Sequence, residues 1–351
     1  MNVREAFRRQ AVSCTGLGSP FMGRLMTLAA DRLAPGHPVA DKILNWPGRP
    51  EANKDSVPLR FAGALHALQI EGDPDLTAAY PPNDVSDDTL WHAAQIAIDR
   101  HTDAILRFLD SPPQTNEVRR SAALIAATTW LKPDHPLILS ELGASAGLNL
   151  MFDRFALATP NGPLGASDPA LTLTPDWQGE VPAPHPVSVA ERRGCDLSPI
   201  DPSDPDHRTR LRAYLWPDQP ERRALTDAAI AAHDAPVDRA KAQDWIASRL
   251  THRPGHHHLI YHTIAWQYFP DDAQGKATAL IEEAGASATS DTPLSWLSVE
   301  NDEGRGAGIT IRCWPGNRAY TLGRFDFHGR WIDWQPAALP EAPRNGGRAV
   351  R

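Results

Sequence analysis

The chain has 351 residues, of which 41% are hydrophobic, so it is long enough for two domains with real cores. Its 35 basic and 43 acidic residues give a formal net charge of −8, and no lysine- or arginine-rich run occurs, which argues against nucleic acid as a main partner. Three widely spaced cysteines and the lack of a long apolar run predict a cytoplasmic protein without disulfides or a membrane span.

The N-terminal part of the chain is predicted to be helical, because its apolar residues recur at spacings of three and four. Ser86 has the position of an N-cap for a helix that extends to Leu109 and is ended by prolines. We therefore predict an all-helical domain over residues 1–134, which acts as a cap or substrate domain. The predicted helices before Ser86 cover residues 4–14, 20–33 and 57–70.

A polar segment follows, Ser111-Pro-Pro-Gln-Thr-Asn-Glu-Val-Arg-Arg120, before a helix that leads to Trp130. A helix start needs only one or two polar capping residues, and this segment has more. One interpretation is a capped, solvated helix start. The other is a substrate-binding segment that faces the glycine turn described next, with four candidate side chains: Gln114, Asn116, Glu117 and Arg120.

The chain is organised around residues 136–150, PLILSELGASAGLNL. The apolar run Leu137-Ile-Leu139 predicts a buried parallel strand, and a glycine turn and a helix follow it. Strand, glycine turn and helix in this order form a small-molecule site in doubly wound sheets, because glycine lets the backbone approach a ligand closely.

Three patterns compete for this turn. A dinucleotide fingerprint fails, because its second and third glycine positions hold Ser145 and Leu148. G-A-S-A-G matches the nucleophile elbow of a serine hydrolase around Ser145, with His262 or His328 as base and Asp244 or Asp326 as its orienting acid. The third pattern is acidic-x-Gly-x-x-x-Gly. A hydrolase elbow should follow several strands, and no convincing strand precedes residue 136, which disfavours acyl transfer.

The C-terminal part is predicted to form the rest of the sheet over residues 135–335, with an insert at 159–185. Later strands are expected near residues 187–196, at Val237, over 256–262 and over 294–300. A terminal antiparallel hairpin is expected from 308–314 and 319–325. The Pro-, Ala-, Gly- and Arg-rich tail, 336–351, is predicted to be disordered.

Histidines are concentrated before and within the predicted fourth strand, but no CxxC or HExxH pattern joins them, so we predict no metal site. His262 differs from the others, because it falls near the carboxyl end of this strand, where open parallel sheets bind ligands. We therefore predict His262 as a general base. The aromatic residues that follow, Trp266 and Tyr268 among them, would form a lip over the reacting group, with Trp266 binding substrate and Tyr268 assisting catalysis.

The sequence resembles class I S-adenosylmethionine (SAM) methyltransferases in three places: Glu141-x-Gly143-x-x-x-Gly147, Gly194-Cys-Asp196-Leu-Ser-Pro, and the segment around Asp244. The resemblance implies a Rossmann-like, mostly parallel α/β sheet with SAM as cofactor. It implies cofactor contacts from Glu141, Gly143, Ala144, Ser145, Gly147, Asn149, Asp196 and Asp244. The chain departs from the family after strand four, where His262-Thr-Ile-Ala265 replaces the asparagine-proline-proline-aromatic motif.

Across nearly its whole length, the chain also resembles a bacterial family of uncharacterised proteins, through stretches such as SPPQTNEVRR, ERRGCDLSPIDP, YLWPDQPERR and DFHGRW. This second resemblance implies no activity for the chain. The function expected from the sequence is therefore methyl transfer from SAM to a small polar acceptor. A serine hydrolase using Ser145 and a non-catalytic adenosyl-binding protein are the alternatives, and the sequence does not indicate the acceptor or the oligomeric state.

Overall fold

A computed structural model describes residues 1–52 and 54–340. The chain divides into two compact units. The first contains Met1–Thr115 and Ile200–Asp227, and the second contains Asn116–Pro199 and the described residues from Ala228 onward. The predicted domain boundary at residue 134 therefore differs from the observed one, and a later segment returns to the first unit.

The described residues of the first unit form helices and no strands. Side-chain caps begin several of them, with Ser19, Asp73 and Ser86 accepting hydrogen bonds from backbone N–H groups of the first turn. The predicted helix from Ser86 to Leu109 is two helices, which meet at His101. The helices are α1 (Val3–Gly16), α2 (Pro20–Arg32), α3 (Pro38–Leu44), α4 (Val57–Ile70), α5 (Pro74–Ala79), α6 (Asp87–Arg100), α7 (Thr102–Leu109), α9 (Pro205–Ala213) and the start of α10 (Pro220–Ala231).

The second unit is mixed α/β. Its strands are β1 (Leu137–Leu142), β2 (Phe155–Leu157), β3 (Leu164–Gly165), β4 (Leu171–Leu173), β5 (Asp176–Gly179), β6 (Val189–Asp196), β7 (Val237–Arg239), β8 (His257–Thr263), β9 (Leu294–Asn301), β10 (Ala307–Trp314), β11 (Arg318–Phe325) and β12 (Trp331–Ala338). Its α-helices are α8 (Ser121–Leu131), α11 (Ala242–Arg249) and α12 (Asp271–Ser287), and short 3₁₀ helices cover Val118–Arg120, Leu148–Arg154 and Trp266–Tyr268. No described helix of the chain combines the length and the apolar character needed to cross a membrane.

Nine strands form one large sheet in the order β5-β12-β11-β10-β9-β8-β1-β6-β7. The five strands from β7 to β9 are mutually parallel, whereas β10, β11 and β12 each pair antiparallel with their predecessor. The prediction of an α/β chain with a mostly parallel sheet is thus confirmed. The chain moves outward from β1 to β6 and β7, then returns to the other side of β1 for β8 and β9, so the strand order reverses at β1. Because these strands are parallel, their carboxyl ends lie at one edge.

Two sequence-based boundaries differ from the observed structure in this unit. The predicted insert, residues 159–185, contributes β3 and β4 to a small sheet with β2, and β5 to the edge of the large sheet. The predicted disordered tail, residues 336–351, begins inside β12, which continues to Ala338. Residues 341–351 lie outside the described residues.

Candidate functional site

The glycine turn, Gly143–Gly147, leaves the carboxyl end of β1 at the point where the strand order reverses. Gly143, Ser145 and Gly147 all have positive φ, at +72°, +55° and +74°. Glycine adopts this backbone conformation without strain, whereas serine does not, so the two glycines permit the turn and Ser145 is held in it. The N–H groups of Gly143 and Ala144 both donate to the carbonyl of Cys195, at 2.9 and 3.0 Å, which fixes the turn to β6.

Asp196, the last residue of β6, directs its carboxylate at this turn. Its Oδ2 accepts a hydrogen bond from the Ser145 N–H at 2.9 Å, and its Oδ1 accepts one from the Ser198 N–H at 2.8 Å. The structure thus brings together three predicted cofactor residues, Ala144, Ser145 and Asp196, across neighbouring strands. Their meeting point is the carboxyl edge of the sheet, where parallel sheets bind ligands.

Ser145 also contributes a hydroxyl group. The residue is only 5% exposed, and its Oγ has no hydrogen-bond partner among the described residues. A buried hydroxyl without a partner costs free energy, because it gives up its bonds to water and receives none in exchange. Such an atom at the carboxyl edge of a parallel sheet is a candidate ligand contact.

The two glycines of the turn are packed against other parts of the sheet edge. A Cβ placed on Gly143 would lie 2.6 Å from the Ala265 Cβ and 3.7 Å from the Phe269 ring. A Cβ on Gly147 would lie 2.8 Å from a methyl carbon of Val237 and 3.3 Å from the His233 ring. Both glycines are therefore required by packing within the protein, in addition to the backbone angles that they adopt.

Glu141 lies behind the turn, in the last part of β1. It is 2% exposed, and burial raises the pKa of its carboxyl well above the ordinary value. The charge of Arg120 and a 3.5 Å hydrogen bond from the Tyr261 hydroxyl oppose this rise without reversing it, and the nearby Asp196 charge adds to it. Burial therefore favours the neutral form of the Glu141 carboxyl.

Two asparagines support the turn from within the protein. Asn149, a predicted cofactor residue, is 1% exposed, accepts a hydrogen bond from the Ser121 hydroxyl at 2.7 Å and donates to the Glu117 carbonyl at 3.4 Å. Asn116, a predicted substrate residue, is also buried, and its Oδ1 accepts the Leu148 N–H at 2.9 Å. Both side chains hold the segment after the turn, and the ligand contacts predicted for them stay predictions.

That segment is also shorter and tighter than predicted. Instead of the α-helix predicted after the glycine turn, a 3₁₀ helix covers Leu148–Arg154 and the chain then enters β2 at Phe155. Residues Phe155–Leu157, which would have extended a helix, instead form β2 and pair with β3 and β4. Helical spacing of the apolar residues did not distinguish these outcomes, because both bury the same side chains.

His262 is fully engaged by its neighbours. Its Nδ1 lies 2.8 Å from Glu300 Oε1, and the Trp296 indole N–H donates to its Nε2 at 3.0 Å. An indole nitrogen can only donate, so Nε2 is the acceptor and the proton is on Nδ1, directed to Glu300. The imidazole is 1% exposed and stacked on Trp266 at 4.7 Å between ring centroids. Both of its nitrogens have partners within the protein, and its role as a general base stays a prediction.

The loop after β8 is fixed by Glu300, a residue that the sequence analysis did not identify. Glu300 Oε1 accepts hydrogen bonds from the N–H groups of Ala265 and Trp266, at 2.9 and 3.0 Å, as well as from His262. Burial alone would raise the pKa of Glu300, but these hydrogen bonds lower it below the ordinary value. Ile264 has φ +51°, a conformation that costs a β-branched residue about 1–3 kcal/mol.

The sequence from residue 4 to residue 334 matches the model of a family described as an uncharacterised protein conserved in bacteria, DUF2332. That span covers most of both units and every residue of the glycine turn. The chain belongs to the DUF2332 family. No curated protein has a sequence that matches it. The predicted membership of an uncharacterised bacterial family is confirmed, and the resemblance to methyltransferases stays a prediction.

The remaining predicted residues of this DUF2332 chain are dispersed. Arg120 lies at the sheet edge, where its guanidinium donates to the carbonyls of Thr263 at 3.0 Å and Phe327 at 3.3 Å. Tyr268 is 62% exposed, at the end of the 3₁₀ helix that also holds Trp266. Asp244 is exposed on α11. Gln114 belongs to the first unit and Glu117, 2% exposed, to the second.

Two histidines at the start of β8 each pair with one serine hydroxyl. His257 Nε2 lies 2.9 Å from the Ser295 hydroxyl, and His258 Nε2 lies 2.8 Å from the Ser140 hydroxyl. Within the described part of this DUF2332 chain, no three His, Cys, Asp or Glu side chains converge in a way that could hold a metal ion. These histidines therefore act as hydrogen-bonding partners between β8 and its neighbouring strands.

Proposed function

We propose that this protein is a SAM-dependent methyltransferase that acts on a small polar acceptor. The parallel strands have the order 3-2-1-4-5 when numbered among themselves, and the glycine turn follows the first of them. This order supports the proposal of a Rossmann-like sheet. The observation that carries the proposal is the Asp196 carboxylate. It ends the neighbouring strand and is directed at Ser145 in the turn.

The residues at the turn have the chemistry that an adenosyl ligand requires. An ionised carboxylate accepts several hydrogen bonds at once, so Asp196 would hold the ribose hydroxyls. The Ser145 hydroxyl, buried and without a partner among the described residues, would bond a polar group of the cofactor. When bound, SAM supplies an activated methyl group on its sulfonium. The protein's part is to align the acceptor with that methyl group and to exclude water.

This assignment leaves the transfer without an identified base. Both ring nitrogens of His262 are occupied, one by Glu300 and the other by Trp296. Alignment alone can contribute much of the rate of such a displacement, since effective molarities of well-oriented groups are very high. The proposed acceptor is therefore a group that is already nucleophilic near neutral pH.

The direct test is titration calorimetry of the full chain with SAM and with S-adenosylhomocysteine. We expect both to bind, and we expect Asp196→Asn to weaken binding by about 10- to 150-fold, the equivalent of about 1.5–3 kcal/mol for a lost charged hydrogen bond. Asp84→Asn is the matched control, because its side chain is 98% exposed. Failure of the wild-type protein to bind either ligand at millimolar concentration would remove the proposed function.

A serine hydrolase is the second candidate, because Ser145 has a positive φ within G-A-S-A-G directly after a strand, as in a nucleophile elbow. Its Oγ, however, bonds no histidine, and His262 has no free nitrogen. The alternative orienting acid, Asp326, is bound by Arg330 instead. We expect a fluorophosphonate probe to leave the chain unlabelled, and labelling that disappears in Ser145→Ala would establish the hydrolase.

A non-catalytic adenosyl-binding protein is distinguished by turnover. It would bind SAM in the calorimetric test and yield no methylated product with any acceptor of a broad panel. Ligand that co-purifies with the protein, identified by mass spectrometry after denaturation, would show which class of molecule the turn binds.

A further inference from the structure

The segment Ile264–Phe269, here called the β8 loop, lies directly on the glycine turn. The space that a side chain on Gly143 would occupy is filled by the Ala265 methyl, and the Phe269 ring is next to it. The proposed cofactor would use this same face of the turn, so the position of the β8 loop determines how much of the turn a ligand can reach.

One carboxylate holds the β8 loop in this position. Glu300 Oε1 receives three N–H donors, from the side chain of His262 and from the backbone of Ala265 and Trp266. Hydrogen bonds to a charged acceptor are roughly twice as strong as neutral ones. The other oxygen, Oε2, is buried and has no hydrogen-bond partner among the described residues. Glu300 therefore holds the β8 loop through only one of its two carboxylate oxygens, among the described contacts.

The loop is also held against its own conformational preference. Ile264 has φ +51°, which β-branched residues strongly disfavour. Aromatic packing contributes to the restraint, because Trp266 stacks on His262 at 4.7 Å and lies 5.5 Å from Trp296, both between ring centroids. An unfavourable backbone angle persists only where surrounding contacts impose it. Weakening the Glu300 contacts should therefore release the loop from the turn.

We propose that Glu300 is a positioning residue that controls ligand access to the glycine turn by holding the β8 loop against it. The proposal rests on the proposed function for the identity of the ligand, SAM. Its mechanism is a population shift. If ligand binds only when the loop has moved away, weakening the restraint tightens apparent binding, and strengthening it weakens binding.

Two substitutions test this with opposite expected signs. Glu300→Gln keeps the side-chain shape but removes the charge, so we expect faster hydrogen exchange over residues 263–269 and about fivefold tighter SAM binding. Ile264→Gly relieves the backbone angle of the loop, so we expect slower exchange there and about fivefold weaker SAM binding. Glu303→Gln is the matched control, because it makes the same chemical change at an exposed position nearby and should alter neither quantity.

Hydrogen exchange is measured on the full chain without ligand, and SAM affinity by calorimetry, with circular dichroism to verify that each variant is folded. A residue with a merely structural role would weaken binding in both variants, and that result would overturn the proposal. So would unchanged exchange over 263–269 in Glu300→Gln. If neither the wild type nor any variant binds SAM, both the proposed function and the proposed effect of the loop on SAM binding fail. The hydrogen-exchange data still decide whether Glu300 holds the β8 loop in place.

Discussion

Replacing Gly143 with alanine is expected to lower the free energy of unfolding by about 2–5 kcal/mol. Two effects add. At φ +72°, any side chain costs about 1–2 kcal/mol, because its Cβ crowds the following carbonyl. The new Cβ would also lie 2.6 Å from the Ala265 Cβ, and overpacking of this kind costs about 1–3 kcal/mol.

Gly255 offers a matched control for this prediction. It has nearly the same backbone angle, φ +68°, but a Cβ placed on it would have no atom within 4 Å. Gly255→Ala should therefore show the conformational cost of about 1–2 kcal/mol without the steric one. Urea unfolding of the wild type and both variants measures the difference, which is valid if the m-value is unchanged. Equal losses in the two variants would mean that the β8 loop does not press on Gly143.

The large sheet was largely predictable from sequence, because buried parallel strands are apolar along their whole length. Leu137–Leu139 is buried throughout, and the later runs near Val237, His258 and Leu297 became strands in the expected chain order. The position of the glycine turn followed from topology alone, since the turn after β1 must lie at the carboxyl edge.

The division into units was not predictable in the same way, because it depends on contacts between distant residues. Asp218 accepts hydrogen bonds from the Ser19 hydroxyl and the Phe21 N–H, about 200 positions away, and so caps α2 from the segment 200–227. The sequence around Asp218 is equally compatible with a cap for the helix that follows it, α10, so this distant contact with α2 could not be predicted. The end of β12 was obscured by Pro336, which is tolerated because it lies beyond the residues that pair with β5.

The contacts of the candidate site residues were not predictable from sequence. Sequence placed His262 at the end of a strand, where a base would be useful. Its actual role depends on Trp296 and Glu300, which occupy both of its nitrogens from the neighbouring strand. Only the register of β8 against β9, in which His262 is opposite Ser298, brings these side chains together, and register is not visible in a single sequence.

Glu141 provides the second large prediction, a dependence of stability on pH. Burial raises the pKa of this carboxyl well above its ordinary value, so the folded protein holds a proton that the unfolded chain releases above about pH 4.5. A carboxyl whose pKa is higher in the folded protein than in the unfolded chain stabilises the fold fully below the unfolded pKa. This stabilisation is lost as the pH rises through the folded pKa. The free energy of unfolding should therefore fall with rising pH, by up to about 1.4 kcal/mol per pH unit from this group.

Glu141→Gln isolates that contribution, because glutamine keeps the shape and cannot ionise. Urea unfolding of both proteins at pH 5, 6, 7 and 8 should show the variant gaining stability relative to the wild type as pH rises. The contributions of all other groups are common to both proteins and cancel in the difference. Glu303→Gln, at an exposed position, should follow the wild type. Parallel curves for Glu141→Gln and wild type would mean that Glu141 is ionised in the fold. Arg120 would then be a true ionic partner, and the base of the glycine turn would carry a charge that a bound ligand must accommodate.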